Sequence, residues 1–301
     1  MLTIEKYGAI DIGSNAVRLL INSVKEEEGK EPKFKKISLV RVPIRLGADV
    51  FSTKKVSDEN IDRMIDTMMA YQLLMKTHKV AAYKACATSA MREAVNGKEV
   101  VAAIKEKTGI HIDIIDGKEE AAIIAMTELK DLISSEGAYL YVDVGGGSTE
   151  FTVYFEGKTV ASKSFKLGTI RLLNNLVSEE VWKEVATWIT QYTAPFDEIS
   201  LIGSGGNINN IFKNSGKSNG KPLSFLYLSS YYKLLKSMTY EERIRTLNLN
   251  QDRADVIVPA AQIYLSAMKW SGAAQVYVPK IGLSDGIIRT LHFEKMKSIK
   301  N

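Results

Sequence analysis

Two short segments carry aspartate, glycine and hydroxyl side chains in nearly the same order, and each follows an apolar run. Glycines directly after a buried strand allow backbone N–H groups to point into a concavity, where they can donate hydrogen bonds to phosphate oxygens. An aspartate at the end of such a strand can bind a divalent cation directly or through water. Each segment alone is also typical of a hairpin turn, but two in register favour phosphate binding. The segments are Asp11-Ile12-Gly13-Ser14-Asn15 and Asp143-Val144-Gly145-Gly146-Gly147-Ser148-Thr149.

A second group of carboxylates lies at the predicted start of a helix. Asp116 and Glu119 have the spacing of a capping box, in which each side chain accepts a hydrogen bond from the backbone N–H of the other residue. This accounts for Glu119 but gives Glu120 no structural role. Near a phosphate site, a carboxylate such as Glu120 can take a proton from an attacking water molecule. Acidic residues are also common in first helical turns because the helix dipole favours them, so both interpretations stay open.

Arginine side chains are candidate phosphate clamps because one guanidinium can bind two oxygens at once. Arg92 follows a predicted strand at 81–88, which places it at a strand's carboxyl end, where open α/β sheets bind ligands. A third turn, Gly203-Ser204-Gly205-Gly206-Asn207, joins a predicted strand to a helix and also suits an anion. Any single arginine is more often a solvated surface charge. The candidates are Arg18, Arg45, Arg92 and Arg289.

The elements that must position these residues repeat along the chain. Three strands in meander are followed by alternating helices and strands, and the pattern then starts again. Asp11 and Asp143 open the two copies and are 143 − 11 = 132 residues apart, the size of a domain rather than of a solenoid repeat. The sequence therefore predicts an α/β protein built by duplication, with domains at 1–123 and 124–301. The meander strands are predicted at 6–12, 16–24 and 33–46, and at 138–144, 150–155 and 158–165.

A long amphipathic helix is predicted over 56–78, where apolar residues recur every three or four positions. Asp58 is its predicted N-cap. Another helix is predicted at 98–109, and further strands at 110–115 and 198–203. The residues predicted to face the core from the long helix are Ile61, Met64, Ile65, Met68 and Met69.

Composition excludes several classes of protein. Of the 301 residues, 45% are hydrophobic and 25% charged, which is typical of globular proteins and argues against disorder. No apolar run approaches the roughly 20 residues of a membrane-spanning helix, so no membrane partner is expected. One cysteine excludes an internal disulfide, and three scattered histidines argue against a histidine metal centre. With no signal-peptide pattern, we expect a cytoplasmic protein, and its net charge of +5 mildly favours anionic partners.

Five motifs together resemble the exopolyphosphatase and guanosine pentaphosphate phosphohydrolase family, which belongs to the actin-like ATPase superfamily. The resemblance covers nearly the whole chain, with the motifs in the family's order, and the chain is similar to the family's short form. Ala16 and Asn207 depart from the pattern, since many relatives have serine and threonine there. These departures bear on substrate preference and leave the proposed base and metal ligand in place. The motifs are AIDIGSNAVRLLI (9–21), ATSAMREA (87–94), IDGKEEA (115–121), YVDVGGGSTEF (141–151) and LSDGIIR (283–289).

The resemblance implies duplicated actin-like, ribonuclease H-like domains with an active-site cleft between them. By motif match, Glu120 would be the catalytic base, Asp143 would bind or organise magnesium or another divalent cation, and Asp11 would assist the metal or the water. Arg18 and Arg92 would be positive clamps. The residues that would cradle the terminal phosphates are Ser14, Asn15, Gly145, Gly146, Gly147 and Ser148. The family also implies a homodimer.

The function expected from this is metal-assisted hydrolysis of the terminal phosphoanhydride of inorganic polyphosphate. The alternatives are removal of the 5′-terminal phosphate of guanosine pentaphosphate, or a sensor that binds such anions without hydrolysis. The intact Glu120 and Asp143 argue against the sensor. No motif of a sugar kinase is present, no residues remain for a chaperone's peptide-binding domain, and no nucleic-acid partner is expected.

Overall fold

The computed structural model describes residues 2–127, 129–133 and 137–300. The chain forms two compact units, Met1–Thr127 with Leu283–Asn301, and Glu128–Gly282. The strands are β1 Leu2–Ile12, β2 Val17–Glu27, β3 Lys33–Val42, β4 Ala82–Ala87, β5 Ile112–Ile114, β6 Ala138–Val144, β7 Thr149–Phe155, β8 Lys158–Phe165, β9 Ile199–Ser204, β10 Leu223–Ser224 and β11 Gln275–Tyr277. The helices are α1 Leu46–Thr53, α2 Asp58–His78, α3 Ser89–Glu93, α4 Gly97–Thr108, α5 Gly117–Ala125, α6 Leu129–Leu132, α7 Thr169–Leu173, α8 Glu179–Thr193, α9 Gly206–Asn214, α10 Phe225–Ser237, α11 Tyr240–Leu247, α12 Gln251–Ala254, α13 Ile257–Ser271 and α14 Leu283–Lys300.

The first unit contains a five-stranded sheet with the order β3-β2-β1-β4-β5. The first three strands form an antiparallel meander, and β4 and β5 join β1 in parallel. The apolar side chains of β2 and those of β1 from Tyr7 onward are buried because helices cover this part of the sheet, whereas Leu2 and Ile4 are exposed. The parallel arrangement brings the carboxyl ends of β1, β4 and β5 to one edge.

The second unit repeats this plan. Its sheet has the order β10-β11-β9-β6-β7-β8, in which β8, β7 and β6 form the antiparallel meander. Strands β9 and β11 continue in parallel with β6, and the short β10 pairs antiparallel with β11. The core is apolar and includes Phe151, Ile189 and Ile211. The two sheets therefore share one strand plan, which confirms the predicted duplication. Strands 138–144 and 158–165 have the predicted bounds.

Some predicted bounds were too short, since β1 begins at Leu2 rather than 6 and β2 ends at Glu27 rather than 24. Three further local predictions were wrong. Strand β3 ends at Val42 rather than 46, because Pro43 has no N–H to continue the ladder. The N-cap of α2 is Ser57, whose hydroxyl accepts from the N–H of Asn60, and Asp58 is the first helical residue. Met69 is 40% exposed and lies outside the core, whereas Met68 is buried.

The C-terminal helix α14 packs on the first sheet rather than on the second. It contacts β1, β2, β4 and α5. An added Cβ at Gly286 would come within 2.2 Å of the Ile123 carbonyl oxygen, so α14 and α5 approach as closely as a glycine permits. Farther along, His292 Nε2 lies 3.1 Å from Glu26 Oε1, and Lys295 Nζ donates to Glu5 Oε2 at 2.6 Å. The division into domains at residue 123 stays a prediction, and it differs from these compact units in where it places α14.

None of the described helices combines the length and the apolar character that crossing a bilayer requires.

Candidate active site

The first predicted phosphate turn is a four-residue hairpin turn between β1 and β2. The N–H of Gly13 donates to the Ala16 carbonyl at 3.1 Å, and the strands on either side pair Asp11 with Arg18. Arg18 Nη1 donates to Asp11 Oδ2 at 3.0 Å. Burial raises the pKa of Asp11, and the Arg18 guanidinium opposes that rise. Arg18 therefore neutralises a buried carboxylate, in addition to any contact it makes with a ligand.

Hydrogen bonds link this turn to the ends of the neighbouring parallel strands. The Ser14 and Ser89 hydroxyl oxygens are 2.8 Å apart, and both residues are buried. The N–H of Thr88, which follows β4, donates to the Ile12 carbonyl of β1. In the same way, the N–H of Ile115, which follows β5, donates to the Ala87 carbonyl of β4. Beside the turn, the Asn15 carbonyl accepts from the N–H of Arg45, the residue that precedes α1. The turn is thus fixed at the carboxyl edge of the sheet.

Arg92 and the start of α5 lie at the same edge. Arg92 Nη1 donates to the Ile115 carbonyl at 2.6 Å, directly before Asp116. The predicted capping box is confirmed, since Asp116 accepts from the N–H of Glu119 and Glu119 bonds back to the N–H of Asp116. The N–H groups of Glu119 and Lys118 and the charge of Arg92 hold the pKa of Asp116 below its usual value.

Glu120 follows the capping box in the first turn of α5, and its side chain is buried, with 8% exposure. A buried carboxylate near the carboxyl edge of a parallel sheet is an arrangement suited to proton transfer. Arg289 is placed differently from the other candidate clamps. Its guanidinium stacks over the Phe34 ring at 4.3 Å, where it helps to join α14 to β3.

The second predicted phosphate turn, between β6 and β7, has a more elaborate support. The N–H of Gly145 donates to the Ser148 carbonyl at 2.9 Å, as in the first turn. In addition, each of the three glycine carbonyls of the turn accepts a hydrogen bond from one of the residues 169–171 in α7. The bonds run from Thr169 N–H to Gly145 O, from Ile170 N–H to Gly146 O, and from Arg171 Nε to Gly147 O, at 3.0, 2.9 and 2.7 Å.

These carbonyl bonds determine where the amides of the turn point. The peptide bonds are trans, so each C=O and the N–H of the next residue point in opposite directions. The N–H groups of Gly146, Gly147 and Ser148 therefore all point away from α7. Within the described part of the chain, these three N–H groups have no protein acceptor. Three parallel donors on one side of a turn form a cradle for the oxygens of an anion.

Two acidic residues lie on one face of the sheet beside this cradle. Asp143 and Glu150 are directly opposite in the β6–β7 ladder, so their side chains project from the same face of the sheet. Glu150 is 4% exposed, and its Oε1 accepts from Ser148 Oγ at 2.7 Å and from Ser164 Oγ at 2.8 Å. Carboxylate oxygens are the ligands that magnesium prefers, usually one or two of them with water and substrate phosphates completing the shell. The donor set therefore fits a hard divalent cation.

The third predicted turn also lies at the carboxyl edge of the second sheet. Ser204 pairs with Asp143 across β6 and β9, and Gly205 follows with φ = 114°, a conformation that favours glycine. The Tyr264 hydroxyl donates to the Ser204 carbonyl, and Ser204 Oγ donates to the Ile281 carbonyl at 2.9 Å. Burial, and then the charge of Asp143, raise the pKa of Tyr264 well above its ordinary value.

Sequence reasoning missed Glu150 and the segment 168–171. Glu150 has a signal in the sequence, because a hairpin closed at 145–148 pairs residues that are equally distant from the turn, and 150 is opposite 143. The segment 168–171 has no such signal, since its contacts with the turn depend on the tertiary fold. An added Cβ at Gly168 would lie 2.3 Å from the Gly146 carbonyl oxygen, which shows how closely this segment approaches the turn.

Comparison with known proteins identifies the family of this chain. The sequence model of the Ppx/GppA phosphatase family matches residues 23–292. The chain belongs to this family. Exopolyphosphatase 1 of Mycobacterium tuberculosis (strain ATCC 25618 / H37Rv) is 27% identical over 175 residues, which cover 58% of this chain and 50% of that protein. Exopolyphosphatase 2 of the same strain is 30% identical over 193 residues, covering 62% and 60%. The chain thus spans about half the length of the first curated relatives that it matches.

Solved structures confirm the two-domain actin-like fold for this Ppx/GppA family member. The Ppx/GppA protein of Aquifex aeolicus has a TM-score of 0.77 and 24% identity, with 97% of this chain and 99% of that chain covered. An exopolyphosphatase from Cytophaga hutchinsonii ATCC 33406 has a TM-score of 0.81 and 22% identity, with 96% and 98% covered. The resemblance and the fold class predicted from the sequence are therefore both confirmed.

Proposed function

We propose that this chain hydrolyses the terminal phosphoanhydride bond of inorganic polyphosphate and releases orthophosphate. The observation that carries the proposal is the cradle of three parallel N–H groups at 146–148, next to Asp143 and Glu150, whose side chains share one face of the sheet. This combination suits a phosphoryl group together with a cation. The exopolyphosphatase names of the relatives support the same substrate class.

We propose that Asp143 and Glu150 hold the divalent cation, with magnesium as the expected ion. When bound, the cation would neutralise charge on the transferring phosphoryl group and on the leaving chain. The family resemblance implies that Asp11 assists the metal or the water. The bond from Arg18 already neutralises Asp11, so we propose that Asp11 and Arg18 instead act as a pair that holds the first turn in place.

In the proposed reaction, Glu120 accepts a proton from the water molecule that attacks the terminal phosphorus. A P–O bond to that water forms, the P–O bond to the bridging oxygen breaks, and the products are orthophosphate and a chain shortened by one unit. The N–H groups of Gly146, Gly147 and Ser148 bind phosphoryl oxygens as their charge changes. Arg92, Ser14 and Asn15 are proposed to contact further phosphate oxygens from the edge of the first sheet. A homodimer and a cytoplasmic location stay predictions.

The experiment is release of orthophosphate from long-chain polyphosphate and, in parallel, from guanosine pentaphosphate, with magnesium present. We expect release from polyphosphate, and Glu120→Gln should lower it roughly 10²- to 10⁴-fold because the proton acceptor is lost. The matched control is Glu119→Gln, which removes a neighbouring carboxylate that serves the capping box and should keep most of the activity. Release from the nucleotide alone would favour the alternative substrate. Binding of both anions without release would identify a sensor and contradict the proposal.

A further inference from the structure

We infer that Arg171 is a positioning residue that sets the direction of the phosphate-binding amides in the turn at 145–148. This inference rests on the proposed function, because it concerns how the same turn holds a phosphoryl group. Sequence analysis gave Arg171 no role, and no other part of the proposed mechanism requires it.

The geometry begins with the side chain itself. Arg171 lies in the short helix α7 and is 5% exposed, so its guanidinium is almost completely removed from solvent. Buried charges are retained in proteins where they are paired or hydrogen-bonded. Arg171 Nε donates to the Gly147 carbonyl at 2.7 Å, 24 residues away along the chain. This bond fixes the peptide between Gly147 and Ser148, and therefore the direction of the Ser148 N–H.

The neighbouring bonds show that the contact belongs to a set. Thr169 and Ile170 donate their backbone N–H groups to the two preceding carbonyls of the turn, whereas the third carbonyl is held by the Arg171 side chain. Backbone donors at 169 and 170 tolerate most substitutions. The third bond requires a side chain that can donate, so of these three residues Arg171 is the one whose substitution should disturb the orientation of the cradle.

Charge adds a second effect. The positive guanidinium lies behind the turn, on the side opposite to the N–H groups that would bind phosphate. A charge in a buried setting is poorly screened and acts over a longer distance than one in water. Arg171 therefore raises the electrostatic potential at the cradle without touching the ligand, and this should strengthen binding of a phosphoryl group both before and during its transfer.

The test compares two arginines of the second unit that both bind backbone carbonyls. Arg243 donates to the carbonyls of Leu235, Met238 and Ala254 at 2.9–3.0 Å, and it takes no part in the turn. Arg171→Met and Arg243→Met each remove one such guanidinium. For each, we would measure kcat and KM on polyphosphate, the competitive inhibition constant of orthophosphate, and thermal unfolding, with activity expressed per folded molecule.

We expect Arg171→Met to lower kcat at least 30-fold and to weaken inhibition by orthophosphate at least 10-fold. Arg171→Lys keeps the charge and should recover part of both. Arg243→Met should lower the unfolding temperature while it leaves kcat and the inhibition constant within about twofold of wild type. If Arg171→Met does not fold, the lysine variant carries the test, with smaller shifts in the same direction.

Two results would overturn the inference. The first is an Arg171 variant that loses stability but keeps the wild-type kcat and inhibition constant, because Arg171 would then be structural, like Arg243. The second applies if the wild-type protein is inactive, so that the proposed function fails and only phosphate binding can be compared. Calorimetric binding of tripolyphosphate to wild type and Arg171→Met then decides the inference separately: equal affinities, or no binding by either protein, contradict it.

Discussion

The two hairpins that open the two units have the same construction but opposite charge patterns. In each, an aspartate is the penultimate residue of the first strand, and a four-residue turn follows that strand. The residue seven positions after the aspartate lies directly opposite it. In the first unit that residue is Arg18, which forms an ion pair with Asp11. In the second unit it is Glu150, so that two acidic residues, Asp143 and Glu150, occupy opposite positions of the ladder.

The difference indicates that the two equivalent hairpins have different functions. An arginine opposite an aspartate makes a neutral pair that stabilises a turn, whereas two acidic residues in opposite ladder positions repel each other and favour a nearby cation. The second turn also has the three-bond support from 169–171, and the first turn has a simpler link between Ser14 and Ser89. On this basis we propose that the second turn holds the cation and the phosphoryl group, and that Glu120 serves as the proton acceptor.

The largest effect is expected from adding a side-chain atom at Gly168, directly behind the second turn. In Gly168→Ala, the new Cβ would lie 2.3 Å from the Gly146 carbonyl oxygen, so the segment and the turn must separate. We expect activity on polyphosphate to fall more than 100-fold, with a loss of about 1–3 kcal/mol in unfolding free energy. Activity assays and urea unfolding would measure both quantities.

The matched control for this prediction lies in the first turn. A Cβ at Gly13 would be 3.3 Å from the Ala16 carbonyl oxygen, a contact that a small shift can relieve. Gly13→Ala should therefore lose much less activity than Gly168→Ala. Equal losses would mean that the two turns bear the same constraint, and the comparison between them would fail.

An intermediate effect is expected from breaking the ion pair of the first hairpin. Arg18→Gln leaves Asp11 buried without its guanidinium, and we expect the unfolding free energy to fall by about 1–3 kcal/mol. Because the neutral amide of Asp11→Asn needs no counter-charge, the double variant Asp11→Asn/Arg18→Gln should recover part of that loss. A double variant that is less stable than Arg18→Gln would contradict the pairing. Urea unfolding of the three variants provides the measurement.

The smallest effect concerns α14, the helix that covers the first sheet. Burial lowers the pKa of His292 below its ordinary value of 6.5; Arg289 and Lys295 act in the same direction, and Glu26 and Glu5 oppose them. The folded state then binds this proton more weakly than the unfolded state, so the unfolding free energy should decrease as the pH falls through 6.5. The lowered pKa of Glu5 acts only below its ordinary value of 4.5.

Urea unfolding at about pH 7.5 and about pH 5.5 separates these two groups, because Glu5 stays ionised at both values. We expect the wild-type protein to be less stable at the lower pH and His292→Gln to show a smaller difference. The same decrease in both proteins would show that another group is responsible.

The sequence predicted those features that depend on local pattern. The meander strands, the two glycine turns and the capping box of Asp116 and Glu119 each have a short-range signature, and the structure contains all of them. The exact start of α2 was not predictable, because Ser57 and Asp58 are both good N-caps and tertiary contacts decide between them.

The missing parts of the candidate site depend on contacts between distant residues. Gly168 and Arg171 meet the turn at 145–148 only after β7 and β8 have folded back, and Tyr264 reaches Ser204 from a helix 60 residues away. Glu150 could be recognised once the hairpin register was fixed. Glu150 is a candidate metal ligand, rather than an ordinary strand residue, because it lies opposite Asp143.

The most direct test of the divided roles is a magnesium titration of phosphate release for wild type, Asp143→Asn and Asp11→Asn. The two substitutions make the same chemical change at equivalent positions of the two hairpins. We predict that Asp143→Asn raises the magnesium concentration for half-maximal activity at least 10-fold, and that Asp11→Asn leaves it within about twofold of wild type. An equal or larger shift in Asp11→Asn, or no shift in Asp143→Asn, would contradict the account.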